Sequence, residues 1–275
     1  MAKKSIKVGA LTVGGGAPVT VQSMTNTSTA DIAATREQIA RLEEAGCDIV
    51  RVAVPDMDAA RAIGALKETA RIPIVADIHF DYKLAIEAAA AGADKIRLNP
   101  GNIGGEDRVA AVVRACRERS VPIRIGVNGG SLEKEILARH GGVTPEALVE
   151  SALRHARLLN KFDFDDICLS VKASDVPTTV AAYRLLAERT DYPLHLGITE
   201  AGTEYMGIIK SAAGIGALLL DGIGDTIRVS LTAEPEREVK AGIALLRALG
   251  LRRTGAEVIS CPTCGRTQID LIAIA

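Results

Sequence analysis

Residues 43–52 read EEAGCDIVRV and residues 89–98 read AAAGADKIRL. The two are near copies: a helix-forming stretch runs into a glycine (Gly46, Gly92), a small residue and an aspartate follow, and an apolar, β-branched run begins. A glycine just past the last helical residue is a left-handed stop, and a short run of this composition is a strand. Helix, stop and strand therefore form a repeating unit, with these copies leading into the second and fourth strands. Outward from them the same kind of run recurs as VTVQSM (19–24), DIVRVAVP (48–55), IPIVADIHF (72–80), DKIRLNP (94–100), VPIRIGVNG (121–129), DICLSVKAS (166–174), YPLHLGITE (192–200) and DTIRVSL (225–231). Amphipathic stretches such as ADIAATREQIARLEEAG (30–46) and AAYRLLAERT (181–190) separate them. Strands alternating with helices require a parallel sheet, and eight such units between Val19 and Leu249 fit a closed (β/α)8 TIM barrel, an α/β fold. Before the first strand, SIKVGALTVGGGAPV (5–19) alternates apolar and polar residues around Gly14–Gly16, which predicts a hairpin plugging the barrel floor. The triple glycine precedes a strand rather than leading from a strand into a helix, which argues against a phosphate loop.

Composition agrees with one large globular core. The 275 residues are 48% hydrophobic and 24% charged, with 33 Lys and Arg against 34 Asp and Glu. Near-neutral charge argues against bulk nucleic-acid binding, and 3% aromatic residues without Trp leave few stacking platforms for single strands. The longest apolar stretch, 212–220, is too short to span a bilayer, and the first twenty residues lack a signal-peptide core. A cytoplasmic protein without membrane or nucleic-acid partners is the expectation. Of the five cysteines, Cys47, Cys116 and Cys168 sit in apolar contexts and read as small buried hydrophobes.

Alternation along a strand assigns the polar members of these runs to shared faces. Arg97 shares parity with Asn99, Arg124 with Asn128, Ser170 with Lys172 and Ser174, Asp77 with His79, and Arg228 with Ser230. In a barrel of this kind the carboxyl ends of the strands open into one bowl, where ligands bind. Arg51, Arg97, Arg124, Lys172 and Arg228 are expected in or near that bowl, with Asp77 and Glu200 as the evident acids. Any one of these cations could be paired inside the barrel, but five from five strands leave a surplus of positive charge that calls for an anion. Arginine forks with Asn and Ser donors suit phosphate oxygens, and several around one centre suit a diphosphate. Glu200, in LGITEAG, and His79, in ADIHFD, fall at strand tips, where barrel enzymes place catalytic groups. Glu200 could instead cap the following helix, and His79 could satisfy a loop carbonyl. His195, of opposite parity to Glu200, reads as an interior histidine.

Near the C-terminus, ISCPTCGR (259–266) carries Cys261 and Cys264 as a C-x-x-C, the ligand spacing of a tetrahedral metal site or an iron–sulfur cluster. Two thiolates complete neither, and a zinc half-site remains an alternative for the pair.

Taken in order, GGGAPVTVQSMTNT, VRVAVP, ADIHFD, KIRLNPGNIG, PIRIGVNGGSL, SVKASD, LGITEAG, IRVSLT and ISCPTCGR resemble successive blocks of the bacterial 4-hydroxy-3-methylbut-2-enyl diphosphate synthase family over nearly the whole chain. The resemblance implies an iron–sulfur oxidoreductase that reductively opens 2-C-methyl-D-erythritol 2,4-cyclodiphosphate, with loss of a hydroxyl, in non-mevalonate isoprenoid biosynthesis. It implies that Arg51, Arg97, Arg124, Asn128 and Lys172, with Thr199, Arg228 and Ser230 beside them, hold the cyclic diphosphate. Glu200 then delivers the proton to the departing hydroxyl, with Asp77 and His79 as further catalytic candidates. Cys261 and Cys264 are two of the ligands of a [4Fe–4S] cluster whose family ligand set adds a third cysteine and a glutamate. The resemblance further implies a homodimer in which one subunit's cluster domain caps the other's barrel, and flavodoxin or ferredoxin as electron donor. The expected organisation is a barrel domain over 1–250 and, over 251–275, a linker and the beginning of a cluster domain cut short, so that the chain alone binds without turnover. A pterin- or diphosphate-binding barrel transferase resembling dihydropteroate synthase is the other barrel reading, against which CPTCGR counts.

Overall fold

The computed structural model describes residues 4–253, 255–256 and 259–274. It opens with a two-stranded antiparallel hairpin, β1 (Ser5–Val8) and β2 (Leu11–Gly14), with Ser5 opposite Gly14 and Val8 opposite Leu11. The turn lies at Gly9 and Ala10, where Gly9 has φ 56°, and not around the triple glycine, which instead carries the chain from the hairpin into the barrel. Two four-residue strands in this register leave room only for a tight two-residue turn, which a residue of positive φ serves.

Eight parallel strands follow: β3 (Thr20–Met24), β4 (Ile49–Ala53), β5 (Ile74–Asp77), β6 (Lys95–Leu98), β7 (Ile123–Asn128), β8 (Ile167–Lys172), β9 (His195–Leu196) and β10 (Thr226–Ile227). Their order around the sheet is β8-β7-β6-β5-β4-β3-β10-β9. A parallel bridge between Leu169 and Leu194 joins the two ends, so the sheet closes on itself as the eight apolar runs require.

Helices return the chain between strands: α1 (Ile32–Glu44), α2 (Met57–Lys67), α3 (Tyr82–Ala90), α4 (Glu106–Glu118), α5 (Lys134–His140) with α6 (Pro145–Asn160), α7 (Val176–Arg189), α8 (Glu204–Leu220) and α9 (Pro235–Ala248). Local signals set their limits. Asp31, Asp56, Asp81, Thr144 and Asp175 cap α1, α2, α3, α6 and α7 by accepting from backbone N–H groups of the first turn. Gly46 and Gly92, with φ 91° and 97°, stop α1 and α3 as the repeated segment predicts.

Residues of one parity along the strands, such as Ile96, Leu98, Ile123, Ile125, Leu169 and Val171, are fully buried in the large core shared with the helices. The opposite parity faces the barrel interior. At its floor Ile6, Val8 and Val13 of the hairpin pack on Ile49, Val75 and Cys168, each barrel residue coming from a different strand. Burying each of the three hairpin aliphatics contributes about 1.5–3 kcal/mol, which seats the hairpin as the expected plug. With its floor sealed, the barrel opens only at the carboxyl ends of its strands. No helix among the described residues is long and apolar enough to cross a membrane.

Candidate active site

Above the plug, the inward-facing rows are polar where barrel interiors usually carry branched aliphatic residues. β6 contributes Lys95 and Arg97, β7 Arg124 and Asn128, β8 Ser170 and Lys172, β4 Arg51, and the β9 and β10 runs His195, Thr199, Arg228 and Ser230. Strand register makes neighbours of Asp77 and Arg97, of Arg97 and Arg124, and of Asn128 and Lys172. A β-strand spaces like-facing residues two apart, so each cation is brought close to the next by the closure of the sheet and not by local sequence.

Asp77 is the hub of the paired charges. Its carboxylate accepts from Arg97 Nη1 at 3.0 Å, with Arg51 Nε and His79 Nε2 each at 3.6 Å. Burial pushes Asp77 upward, but Arg51, His79 and Arg97 together more than offset this and hold it well below the usual carboxylate range. Asp77 is therefore ionised and acts as an anchor that fixes two guanidiniums and draws the exposed His79 ring towards the bowl.

Arg124 lies deepest of the arginines, 1% exposed, and Nη1 donates to Ser170 Oγ at 2.8 Å. Its Nε and Nη2, and Nε of Arg97, are buried without a protein hydrogen-bond partner. Lys172 is 7% exposed, and burial followed by Arg124, Arg51, Arg228 and Arg97 pushes its amine well below the ordinary lysine value. Burial and the neighbouring cations also lower Arg51 to about 9 and Arg124 to about 10, values at which a guanidinium is still charged at neutral pH. Two glycines make the room for these side chains. A Cβ on Gly126 would stand 2.6 Å from Arg97 Nε, and one on Gly197 would stand 2.5 Å from Lys172 Nζ.

Arg228 differs from the other four. Its Nε and Nη2 meet the buried carboxylate of Glu238, on α9, at 3.1 and 3.2 Å, and Ser23 Oγ and the Leu231 N–H donate to the same group. Its charge is thus met within the fold, and Glu238 is a partner that sequence reasoning missed. Met24 Sδ lies between the two remaining arginine heads, 3.1 and 2.9 Å from Arg51 Nε and Nη2 and 3.8 Å from Arg228 Nη1.

Two further groups inside the barrel carry no site assignment from the sequence. Lys95 is fully buried with Nζ unpartnered, and burial, aided by Arg124 and Arg51, lowers it to about 8. His195 is fully buried, as its parity suggests, with both ring nitrogens unpartnered; burial followed by Arg124, Lys172, Lys95 and Arg51 holds it well below the ordinary histidine value, hence neutral. A signal for Lys95 existed: it shares parity with Arg97 and Asn99.

At the rim, a cleft of about 530 Å³ is lined by Asn128, Ser131, Ser174, Asp175, Thr199 and Glu200, among others. Glu200 is exposed and held at φ 52°, in the left-handed region that non-glycine residues seldom adopt. Strain of this kind collects where a side chain must be aimed. The helix that follows is capped at Thr203, not at Glu200.

Cys261 and Cys264 are both exposed, unlike the buried thiols of Cys47, Cys116 and Cys168. Thr267 closes a turn on the second, its N–H donating to the Cys264 carbonyl at 2.9 Å and its Oγ1 accepting from the Cys264 N–H at 3.0 Å. Hydrogen bonds from Arg266, then Thr267, lower the Cys264 thiol towards the thiolate that a soft metal requires. Among the described residues no group of three or more His, Cys, Asp or Glu could hold a metal ion.

Residues 3–243 match the family model described as the GcpE TIM-barrel domain. Over 272 residues the chain is 61% identical to the 4-hydroxy-3-methylbut-2-en-1-yl diphosphate synthase (flavodoxin) of Ruminiclostridium cellulolyticum, and 62% identical to that of Caldanaerobacter subterraneus subsp. tengcongensis. In both cases the match covers 99% of this chain and 77% of the relative. Among solved structures, dihydropteroate synthase from Xanthomonas albilineans superposes with a TM-score of 0.62 at 14% identity, covering 90% of this chain and 97% of the other. The 3-dehydroquinate dehydratase of Geobacillus kaustophilus does so with a TM-score of 0.61 at 15% identity, covering 89% and 97%. These likenesses establish the barrel and carry no chemistry.

Proposed function

This chain belongs to the GcpE family, and from that premise we propose that its bowl binds 2-C-methyl-D-erythritol 2,4-cyclodiphosphate for reductive ring opening to 4-hydroxy-3-methylbut-2-enyl diphosphate. The enzyme is an iron–sulfur oxidoreductase of isoprenoid biosynthesis, as its relatives of about 60% identity are. The observation that carries the substrate assignment is the charge imbalance inside the barrel. Among the described residues, the ion pairs of Arg51, Arg97, Arg124 and Lys172 reach one carboxylate, Asp77, and burial raises the cost of leaving such charges uncompensated. A diphosphate supplies the missing negative charge, with Asn128, Thr199 and Ser230 as neutral donors at the rim. Arg228, already paired with Glu238, contributes one guanidinium edge at most.

The overall change consumes two electrons and one proton: the ring C–O bond to phosphate breaks, the neighbouring hydroxyl leaves as water, and a double bond forms between the two carbons. When bound, a [4Fe–4S] cluster held in part by Cys261 and Cys264 would supply the electrons. This chain's own residues supply the rest. The guanidiniums and Lys172 hold the diphosphate and stabilise the charge that accumulates on it as the ring opens. Glu200, exposed at the strand tip beside Thr199, delivers the proton to the departing hydroxyl, and His79 is the next group in reach of the bowl. Asp77, held ionised, serves by orienting Arg51 and Arg97.

Flavodoxin is the donor that the relatives' names specify, and it is the donor proposed for this chain. Tyr205, Met206, Ile208 and Ile209, exposed along the start of α8, support a homodimer. The unpaired thiols agree with a cytoplasmic setting, and residues 251–275 are read as the start of a cluster-bearing segment, tied to the barrel by Arg252 and Asp48 at 2.8 and 3.1 Å. Calorimetric titration of the cyclodiphosphate into wild type and Arg124→Ala tests the assignment. Binding weakened by tenfold or more in the variant is expected; equal affinity would overturn it.

A further inference from the structure

Lys95 has no role in the function proposed above, yet it is a buried lysine on an inward row of a closed barrel. Fully buried, it sits two residues before Arg97 on the same inward row of β6, and its Nζ has no protein hydrogen-bond partner. Its interior location follows from the register: Lys95 stands opposite Val75, whose side chain packs with the hairpin at the barrel floor, and paired residues of neighbouring strands share a face. The charged and titratable groups facing it complete the picture. From β4 comes Arg51, from β7 Arg124, from β8 Cys168 and from β9 His195; Arg97 follows two residues along the same row of β6, and Arg228, on the β10 run, is paired with Glu238. Below, the hairpin presents only Ile6, Val8, Leu11 and Val13. Asp77, the interior carboxylate, is taken by Arg97 and Arg51, while burial keeps the Cys168 thiol protonated.

An ammonium with no counter-charge in such a place is costly, and the inexpensive alternatives are loss of its proton or arrival of an anion. We propose that Lys95 is a charge-supplying residue behind the anion clamp: it takes up a proton when an anion enters the bowl and releases it when the anion leaves. This rests on the bowl being the anion site. Its consequence is selectivity for highly charged ligands, because the field of a buried cation acts in proportion to the charge of the ligand and is little screened by salt. His195, on which Lys95 acts and whose ring nitrogens are also unpartnered, is a neutral donor and acceptor able to solvate either form of the amine through ordered water.

The test is calorimetry with inorganic pyrophosphate and inorganic phosphate at pH 8, in two buffers of different ionisation enthalpy, on wild type, Lys95→Met and Lys172→Met. The difference between buffers counts protons taken up, and comparison among variants removes the ligand's own protonation. Lys95→Met replaces an uncompensated amine by an apolar chain of similar length, and a thermal melt checks that it folds. The expected result is about tenfold weaker pyrophosphate binding in Lys95→Met, a smaller loss for phosphate, and a proton count below that of wild type. Lys172→Met is expected to keep part of the uptake. Equal affinity and an equal proton count in Lys95→Met and wild type would overturn the role of Lys95 and leave the bowl standing, as would uptake that vanishes entirely in Lys172→Met. Failure of wild type to bind pyrophosphate at all would overturn the bowl assignment with it.

Discussion

Arg97→Ala separates two roles that the geometry gives one side chain. Arg97 donates to Asp77 at 3.0 Å and is 8% exposed, so removing it strips a buried carboxylate of its nearest partner. Breaking a buried pair in this way costs about 3–5 kcal/mol in general. Here Arg51 and His79 still stand 3.6 Å from the carboxylate, which places the expected loss of stability at or just below the lower end of that range, about 2–3 kcal/mol. The second role is ligand binding: a charge-assisted contact to phosphate in a desolvated bowl contributes about 2–4 kcal/mol, or roughly 30- to 1,000-fold in Kd. Urea denaturation measures the first quantity and calorimetric titration with the cyclodiphosphate the second. Asp77→Asn added to Arg97→Ala distinguishes them, because it removes the stranded carboxylate: stability is expected to recover by about 1–2 kcal/mol while binding stays weak. A variant that loses stability yet binds as wild type does would refute the bowl, leaving Arg97 as an interior ion-pair partner.

Further outcomes follow from the same geometry. Glu200→Gln in enzyme with an intact cluster keeps shape and hydrogen bonding but not the proton, so turnover is expected to fall by about 10²-fold or more at nearly unchanged substrate affinity; near-normal turnover in a steady-state assay would assign the proton to His79 or water. Glu238→Gln leaves Arg228 without its counter-charge and is expected to cost about 2–4 kcal/mol in urea denaturation, whereas a neutral result would mean that solvent compensates Arg228. Alkylation of the native protein at pH 7.5, read by mass spectrometry, is expected to label Cys264 first, since it is exposed and its thiol is lowered. Cys47 and Cys116, buried with thiols raised to about 12, are expected to resist.

The barrel was legible because its signals are local and repeated. Each strand is a short β-branched run, the starts of α1, α2, α3, α6 and α7 carry an Asp or Thr cap, and the near copies at Gly46 and Gly92 expose the period. Parity alone places Arg97, Arg124, Lys172 and Asp77 in one interior. What stayed hidden depends on contacts between distant segments. Glu238 lies on a helix whose pattern is that of any amphipathic surface helix, and only the packing of α9 on β3 and β10 brings its carboxylate to Arg228 and Ser23. Lys95 was masked by its place beside Asp94 at the head of a strand, where a charged pair reads as a solvated turn; its parity was the overlooked signal. The hairpin itself was legible in the alternation of residues 5–14, and its turn at Gly9 follows from the register of the two strands.

The central claim is that a diphosphate sits among cations from separate strands at the open end of the barrel. A crystal structure of the protein with 2-C-methyl-D-erythritol 2,4-cyclodiphosphate tests it most directly. Phosphate oxygens within hydrogen-bond distance of at least two of Arg97, Arg124 and Lys172, with Glu200 at the rim facing the ring, are the result expected. A ligand found instead wholly in the outer cleft beside Asp175 and Ser131, or in the groove between α8 and α9, with those three side chains unmoved and untouched, would contradict the account.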